Sequence, residues 1–236
     1  MNKLDHIRIV LCQTSHPGNI GAAARAMKTM GLSRLYLVRP RKFPHAESYA
    51  MASGATDVLE NIVVCETLQQ ALQGCSLVIG LTARKRELSH DAISPREAAA
   101  EALVIATSQE AALVFGGETS GLSNEELILC QRLAHIPANP KYSSLNLAAA
   151  VQVLAYELYM AAEAPQAAVK RLQLATHDEV EGFYIHLEQT LIDIGFLDPA
   201  LPKRLMSRLR RLFTRARLQK EEVNILRGIL KSISKK

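Results

Sequence analysis

Four loops of this chain gather the residue types that could bind or react. "TSHPGNIGAAARAMKTMGL" (14–32) places His16, Gly18, Asn19 and Gly21 at a helix entrance, followed by Arg25 and Lys28. "LTARKREL" (81–88) sets Arg84, Lys85 and Arg86 beside small residues. "FGGETSGLSNEEL" (115–127) surrounds Glu118 with Gly116, Gly117 and Gly121. "NPKYSSLNLAAAV" (139–151) brings Tyr142, Ser143, Ser144 and Asn146 to the start of an apolar helix. One serine or asparagine would be enough for an N-cap there.

Glycines before a helix let backbone N–H groups approach an anion. Three glycines in six residues imply close backbone approach or a sharp turn. The G-x-G-x-x-G and P-loop patterns are absent, so dinucleotide and nucleoside-triphosphate readings have no motif support. No serine sits in a G-x-S-x-G elbow with a paired histidine. The histidines (His6, His16, His45, His90, His135, His177 and His186) have no metal-type spacing, and no metal is expected. For Arg25 the plain alternative is a side chain that snorkels to solvent from a capped amphipathic helix.

The elements that must hold these loops read as an α/β chain. Short apolar runs at 7–13, 34–38, 62–66, 76–81, 111–116 and 133–137 suit strands buried on both faces of a parallel sheet. Helical stretches lie between them at 19–30, 47–52, 68–72, 95–107 and 124–131. Gly31 stands where a helix C′ glycine belongs, and Ser123 and Glu126 are spaced as a capping box. The alternation predicts an open parallel sheet covered by helices on both faces over residues 1–162. A linker at 163–177 and a helical extension at 178–236 follow. Within the extension, Leu205, Leu209, Leu212, Phe213 and Ala216 form an expected core stripe, and Arg204, Arg208, Arg211 and Arg215 a second, basic one.

Charge separates these parts. Residues 203–236 hold twelve Lys and Arg against two Glu, leaving 16 basic and 21 acidic residues in the rest. A basic tail on an acidic body suggests a polyanionic partner, with solvated helix faces as the plain alternative. The arginines are not interleaved with aromatics, which favours phosphate contact over base stacking. The overall composition, 48% hydrophobic and 22% charged over 236 residues, is that of an ordinary globular protein. No secretory signal is evident, and residues 145–162 are interrupted by Asn146, Gln152 and Glu157, so they read as a buried helix rather than a membrane span. Cys12, Cys65, Cys75 and Cys130 are expected as reduced core residues, consistent with a cytoplasmic location.

Taken in order, "TSHPGNIGAAARAMKTMGL", "LVFGGETSGLSNEEL" and "HIPANPKYSSLNLAAAVQVLAYE" resemble the three motifs of the SpoU branch of the SPOUT RNA methyltransferases, over about residues 7–160. The "TARKR" loop and "LRRLFTRARLQKEEVNILRGIL" further resemble a subgroup that methylates tRNA ribose. The resemblance implies a deep trefoil knot at the end of the α/β domain, a homodimer, and S-adenosylmethionine as methyl donor, with S-adenosylhomocysteine as product. No obligatory protein partner and no membrane are implied. It assigns cofactor contacts to Leu81, Thr82 and Ala83, to Phe115, Gly116 and Gly121, and to Ile136, Ser143, Ser144 and Leu145. It assigns catalysis to Arg25, Asn19, Ser144 and Asn146. RNA contacts fall to Arg84 and Arg86, joined by the tail's Arg204, Arg208, Arg211 and Arg215. The sequence departs from the pattern at Gly117, where relatives often carry an arginine.

The implied reaction is methylation of the ribose 2′-OH of a cytidine or uridine, the first nucleotide of the tRNA anticodon loop. Arg25 would clamp a phosphate and polarise the hydroxyl rather than act as a base, because guanidinium barely deprotonates. The alternatives are a SpoU-type enzyme acting on ribosomal RNA or another tRNA position, and a non-catalytic RNA-binding or assembly protein with the same fold.

Overall fold

The computed structural model describes residues 2–83, 92–163 and 173–233. The chain divides into two compact units, residues 1–171 and 172–236. Arg84 and Arg86 lie outside the described residues.

The first unit is built on six parallel strands: β1 (Ile7–Cys12), β2 (Arg34–Val38), β3 (Val63–Cys65), β4 (Cys75–Leu81), β5 (Glu110–Phe115) and β6 (Arg132–Ala134). Their order across the sheet is β3-β2-β1-β5-β4-β6. Every residue of β1 and β4 is buried, which explains why these strands are mostly apolar without alternation, Arg8 and Ser76 being the polar exceptions. Among the described residues seven α-helices accompany the sheet: α1 (Pro17–Thr29), α2 (Ala46–Ala52), α3 (Thr56–Glu60), α4 (Leu68–Leu72), α5 (Pro95–Ile105), α6 (Asn124–Ile128) and α7 (Leu147–Glu163). Val10, Cys12, Val78, Ala112 and Val114 pack with Leu68 and Leu72 of α4 and Leu127 of α6, so these two helices cover one sheet face. Side chains alternate along a strand, so the fully buried Ile7, Ile9 and Leu11 must be covered on the other face. α7 packs against both α1 and α5. All four cysteines are free and buried, and burial pushes the Cys130 thiol up to about 12.

Local signals set several helix ends. Gly31 N–H donates to Lys28 O and Leu32 N–H to Met27 O, the paired bonds of a Schellman motif closing α1. Ser123 and Glu126 form the expected capping box on α6. The five-residue α3 is absent from the sequence reading, because "TDVLE" is too short to show a helical period.

The second unit contains α8 (His177–Asp193), α9 (Leu205–Ala216) and α10 (Lys220–Ile233). Phe183 and Phe213 meet edge to face at 5.0 Å, with Tyr184, Leu187, Val223 and Leu230 around them. Arg210 pairs with both carboxylate oxygens of Glu181 at 2.5 and 2.9 Å and lies over the Tyr184 ring. The core face of α9 differs from the expected stripe. Met206, Leu209 and Phe213 face the cluster, whereas Leu212 is 50% exposed and Ala216 is also exposed. Three residues beyond Leu209, Leu212 falls on the outer flank of the stripe centred on Met206, Leu209 and Phe213. Arg204, Arg208, Arg211 and Arg215 are all exposed, and no ion pair engages them among the described residues.

Candidate active site

In an open α/β sheet, ligands gather beyond the strand C-termini where the connections change direction. Here that point lies between β1 and β5, which are neighbours although their successors lead to opposite sheet edges. The loops leaving these two strands meet at Glu118. Its carboxylate accepts hydrogen bonds from Ser15 N–H (2.9 Å), Ser15 Oγ (3.0 Å), His16 N–H (3.2 Å) and Asn19 Nδ2 (3.0 Å). Partial burial pushes the Glu118 carboxyl up, but these donors outweigh it and hold it down at about 2.

The sequence suggested that N–H groups of the glycine turn entering α1 would approach an anion. Just ahead of that turn, the N–H groups of Ser15 and His16 meet the protein's own carboxylate, Glu118. Gly21, read as part of the same anion-binding turn, instead lets two helices touch. A Cβ there would lie 2.0 Å from the Ser48 carbonyl oxygen of α2.

From Glu118 a directed chain of amides leads to α7. A carboxylate only accepts, so Asn19 must turn its NH2 toward it and its oxygen away. That oxygen accepts from Asn146 Nδ2 at 2.9 Å. Asn146 Oδ1 in turn accepts from Ala148 N–H (2.9 Å) and Ala149 N–H (3.3 Å). Asn146 is therefore the N-cap of α7, which settles the choice between serine and asparagine that the sequence left open. The serines are left for other work: neither Ser143 nor Ser144 makes a hydrogen bond among the described residues.

The loops after β4, β5 and β6 converge with the entrance to α7 on a cavity of about 220 Å³. All ten residues assigned to the cofactor from the sequence line it: Leu81, Thr82, Ala83, Phe115, Gly116, Gly121, Ile136, Ser143, Ser144 and Leu145. Glu118 reaches the same lining. Gly116 has no room for a side chain, since a Cβ would lie 2.1 Å from the Gly121 backbone carbon. The loop there folds back on itself, with Gly121 N–H donating to Gly117 O at 2.9 Å. His135 enters where sequence reasoning saw no role: its Nδ1 lies 3.0 Å from Thr82 O, tying the β4 loop to β6. Its position next to Ile136 was the available signal.

Of the four residues assigned to catalysis, Ser144 lines the cavity, while Asn19 and Asn146 form the amide chain beside it. Arg25 is not brought to the lining. It is exposed on α1, six residues or about 9 Å along the axis from Asn19. Tyr142, at 82% exposed, is also outside the cavity. Among the described residues there is no metal-type cluster, and no helix is long and apolar enough to cross a membrane.

This combination of fold and loops matches the SpoU rRNA Methylase family over residues 6–156, so the first unit is a SpoU-type methylase. Residues 178–236 match the C-terminal domain of the tRNA methyltransferase TrmJ. The whole chain is 54% identical to the tRNA (cytidine/uridine/adenosine-2′-O-)-methyltransferase TrmJ of Pseudomonas aeruginosa, covering 98% of this chain and 95% of that protein. It is 51% identical to the tRNA (cytidine/uridine-2′-O-)-methyltransferase TrmJ of Pectobacterium atrosepticum, covering 98% of each. The crystal structure of TrmJ from Z. mobilis aligns with a TM-score of 0.84 at 32% identity, covering 96% of this chain and 98% of that one. The chain belongs to the TrmJ family of methyltransferases.

Proposed function

We propose that this protein methylates the ribose 2′-OH of a cytidine or uridine at the first nucleotide of the tRNA anticodon loop. The observation that carries the reading is the convergence of three separate loops on one cavity beside the Glu118–Asn19–Asn146 chain. S-adenosylmethionine suits that cavity: Leu81, Phe115, Ile136 and Leu145 offer apolar walls for a purine, and Gly116 leaves backbone where a side chain would intrude. When bound, the cofactor supplies a methyl carbon on a sulfonium for displacement by the ribose oxygen.

The protein's task is then to hold that oxygen in near-attack geometry and to receive its proton. Ser144, its hydroxyl unengaged among the described residues, positions the ribose or the methionine end of the cofactor. Asn19 and Asn146 act through position, since their amides are committed to Glu118, to the start of α7 and to one another. Arg25, exposed and unpaired among the described residues, clamps a substrate phosphate and polarises the hydroxyl, leaving the proton to phosphate or water. The arginines of α9 add phosphate contacts. Arg84 and Arg86 are assigned to the RNA backbone by sequence alone.

The same reading includes a trefoil knot in the segment that runs from β6 to α7 and a homodimer. Exposed Tyr156, Tyr159 and Met160 on α7 support the dimer. Four reduced, buried cysteines suit the cytoplasm. Residues 1–162 serve as the methylase domain and 178–236 as the RNA-binding extension, joined by 163–177.

The test is methyl transfer from labelled S-adenosylmethionine to tRNA transcripts bearing C, U, A or G at the first anticodon-loop position. Incorporation at C and U, abolished by a 2′-deoxy substitution there, is expected. Adenosine belongs in the series because the P. aeruginosa relative's name includes it. Incorporation at another nucleotide, or into ribosomal RNA alone, would overturn the site assignment.

A further inference from the structure

From residue 6 to residue 46 the chain holds seven Lys and Arg and no Asp or Glu. Three of the seven are neutralised nearby: Arg8 and Arg34 by Glu110, and Lys28 by Asp57. The other four, Arg25, Arg39, Arg41 and Lys42, are exposed and have no carboxylate partner among the described residues. Three of these four fall in one short loop, "RPRKFPH" (39–45), between β2 and α2.

This loop is fixed through its backbone, not its charged side chains. Arg39 N–H donates to Cys65 O at the end of β3, and Arg41 N–H to Thr14 O in the loop after β1, each at 3.0 Å. Arg39 takes a left-handed conformation (φ 48°), and His45 closes the loop by accepting Glu47 N–H at the start of α2. The next residues after Thr14 are Ser15 and His16, held by Glu118. The basic loop therefore shares a hydrogen bond with the segment that anchors the Asn19–Asn146 chain, at the C-terminal end of the sheet. The nearest acid in sequence, Glu47, is turned to the start of α1, with its Oε1 2.8 Å from where a Gly18 Cβ would stand. A rigid backbone that presents three unneutralised cations beside the candidate active site is organised for an anionic chain.

We propose that Arg39, Arg41 and Lys42 form a phosphate-binding site for the substrate RNA on the methylase unit, separate from the arginines of α9. The site rests on the tRNA-methylation reading above and names where the backbone beside the acceptor nucleotide is gripped. Arg and Lys neutralise phosphates and release counterions, so each contact contributes to the salt dependence of binding.

The experiment compares the full-length protein with R39Q/R41Q/K42Q, measuring tRNA affinity over a salt series and S-adenosylmethionine affinity by calorimetry. The expected result is a salt slope shallower by about 0.7–0.9 per lost contact, with at least about tenfold weaker tRNA binding at low salt. Cofactor affinity should stay unchanged, and R39K/R41K should keep the wild-type slope. Lys42 is outside the left-handed position, so K42Q alone gives a second reading if the triple variant misfolds, with an expected slope change of about 0.7–0.9. An unchanged slope and affinity in either folded glutamine variant would overturn the proposal. Failure of the wild-type protein to methylate any tRNA would instead overturn the reaction assignment, and the salt slopes would still decide the loop.

Discussion

Asn146 donates from Nδ2 to Asn19 Oδ1 at 2.9 Å, across 127 residues of sequence, while its own oxygen caps α7. One side chain thus fixes both the start of a helix and the orientation of the amide held by Glu118. The two functions are separable by mutation. Asn146→Asp keeps an acceptor for the helix N–H groups but faces the Asn19 oxygen with another oxygen. Its thermal stability should exceed that of Asn146→Ala, which loses a cap worth about 1 kcal/mol. Both variants should lose most methyl transfer, and melting curves with single-turnover assays check the split.

Glu118 ties two loops together only while it is ionised. Its folded value, about 2, is below the ordinary 4.5, so its stabilisation is fully present above about pH 4.5 and is lost as pH falls toward 2. The stability gap between wild type and Glu118→Gln, from urea unfolding, should therefore narrow over that interval. A gap that stays constant would show that the carboxylate's charge is immaterial.

Gly116→Ala should damage the cavity rather than the sheet. A Cβ would meet backbone atoms at 2.1 and 2.2 Å, which no rotamer change can relieve. The loop must open, and S-adenosylmethionine affinity should drop by roughly tenfold or more on the scale of an excluded contact. Circular dichroism should remain near wild type while calorimetry shows the loss.

His177 is buried at the start of α8, and its Nε2 has no hydrogen-bond partner among the described residues. Burial lowers its proton affinity; the opposing pull of Glu181 and Asp178 does not restore it. The unfolded chain therefore takes the proton first, and the second unit should lose stability as pH falls through about 6.5. Protection factors of α8 and α10 amides, which divide out the intrinsic pH dependence of exchange, should fall between pH 7.5 and 5.5, and His177→Gln should flatten that dependence.

The exposed arginines of α9 predict a salt effect distinct from a stability effect. Glutamine at 204, 208, 211 and 215 should leave melting unchanged, because none of these side chains has an ionic partner among the described residues. The salt slope of tRNA binding should become shallower. Arg210→Gln should do the reverse: it leaves Glu181 partly buried without its bidentate partner and destabilises the unit by about 1–3 kcal/mol.

The sequence by itself determined the strands, the order of elements and the loops that matter. Strands buried along their whole length are mostly apolar, so β1 and β4 could be read directly, and β2 by its leucines and valine between the half-buried Arg34 and Tyr36. Capping signals such as Ser123 with Glu126 are local and equally legible. The five-residue α3 was not legible, and neither was the rotation of α9 that exposes Leu212, because stripe position depends on what the helix meets. The tertiary structure alone decided which polar groups find each other. It chose Asn146 among the candidate caps of α7, and brought Glu118 to the N–H groups of Ser15 and His16 just before α1. It also assigned Gly21 to helix contact and left Arg25 away from the cavity lining. Composition and spacing name donors and acceptors, but a hydrogen bond over about a hundred residues exists only once the sheet has placed both ends within 3 Å of each other.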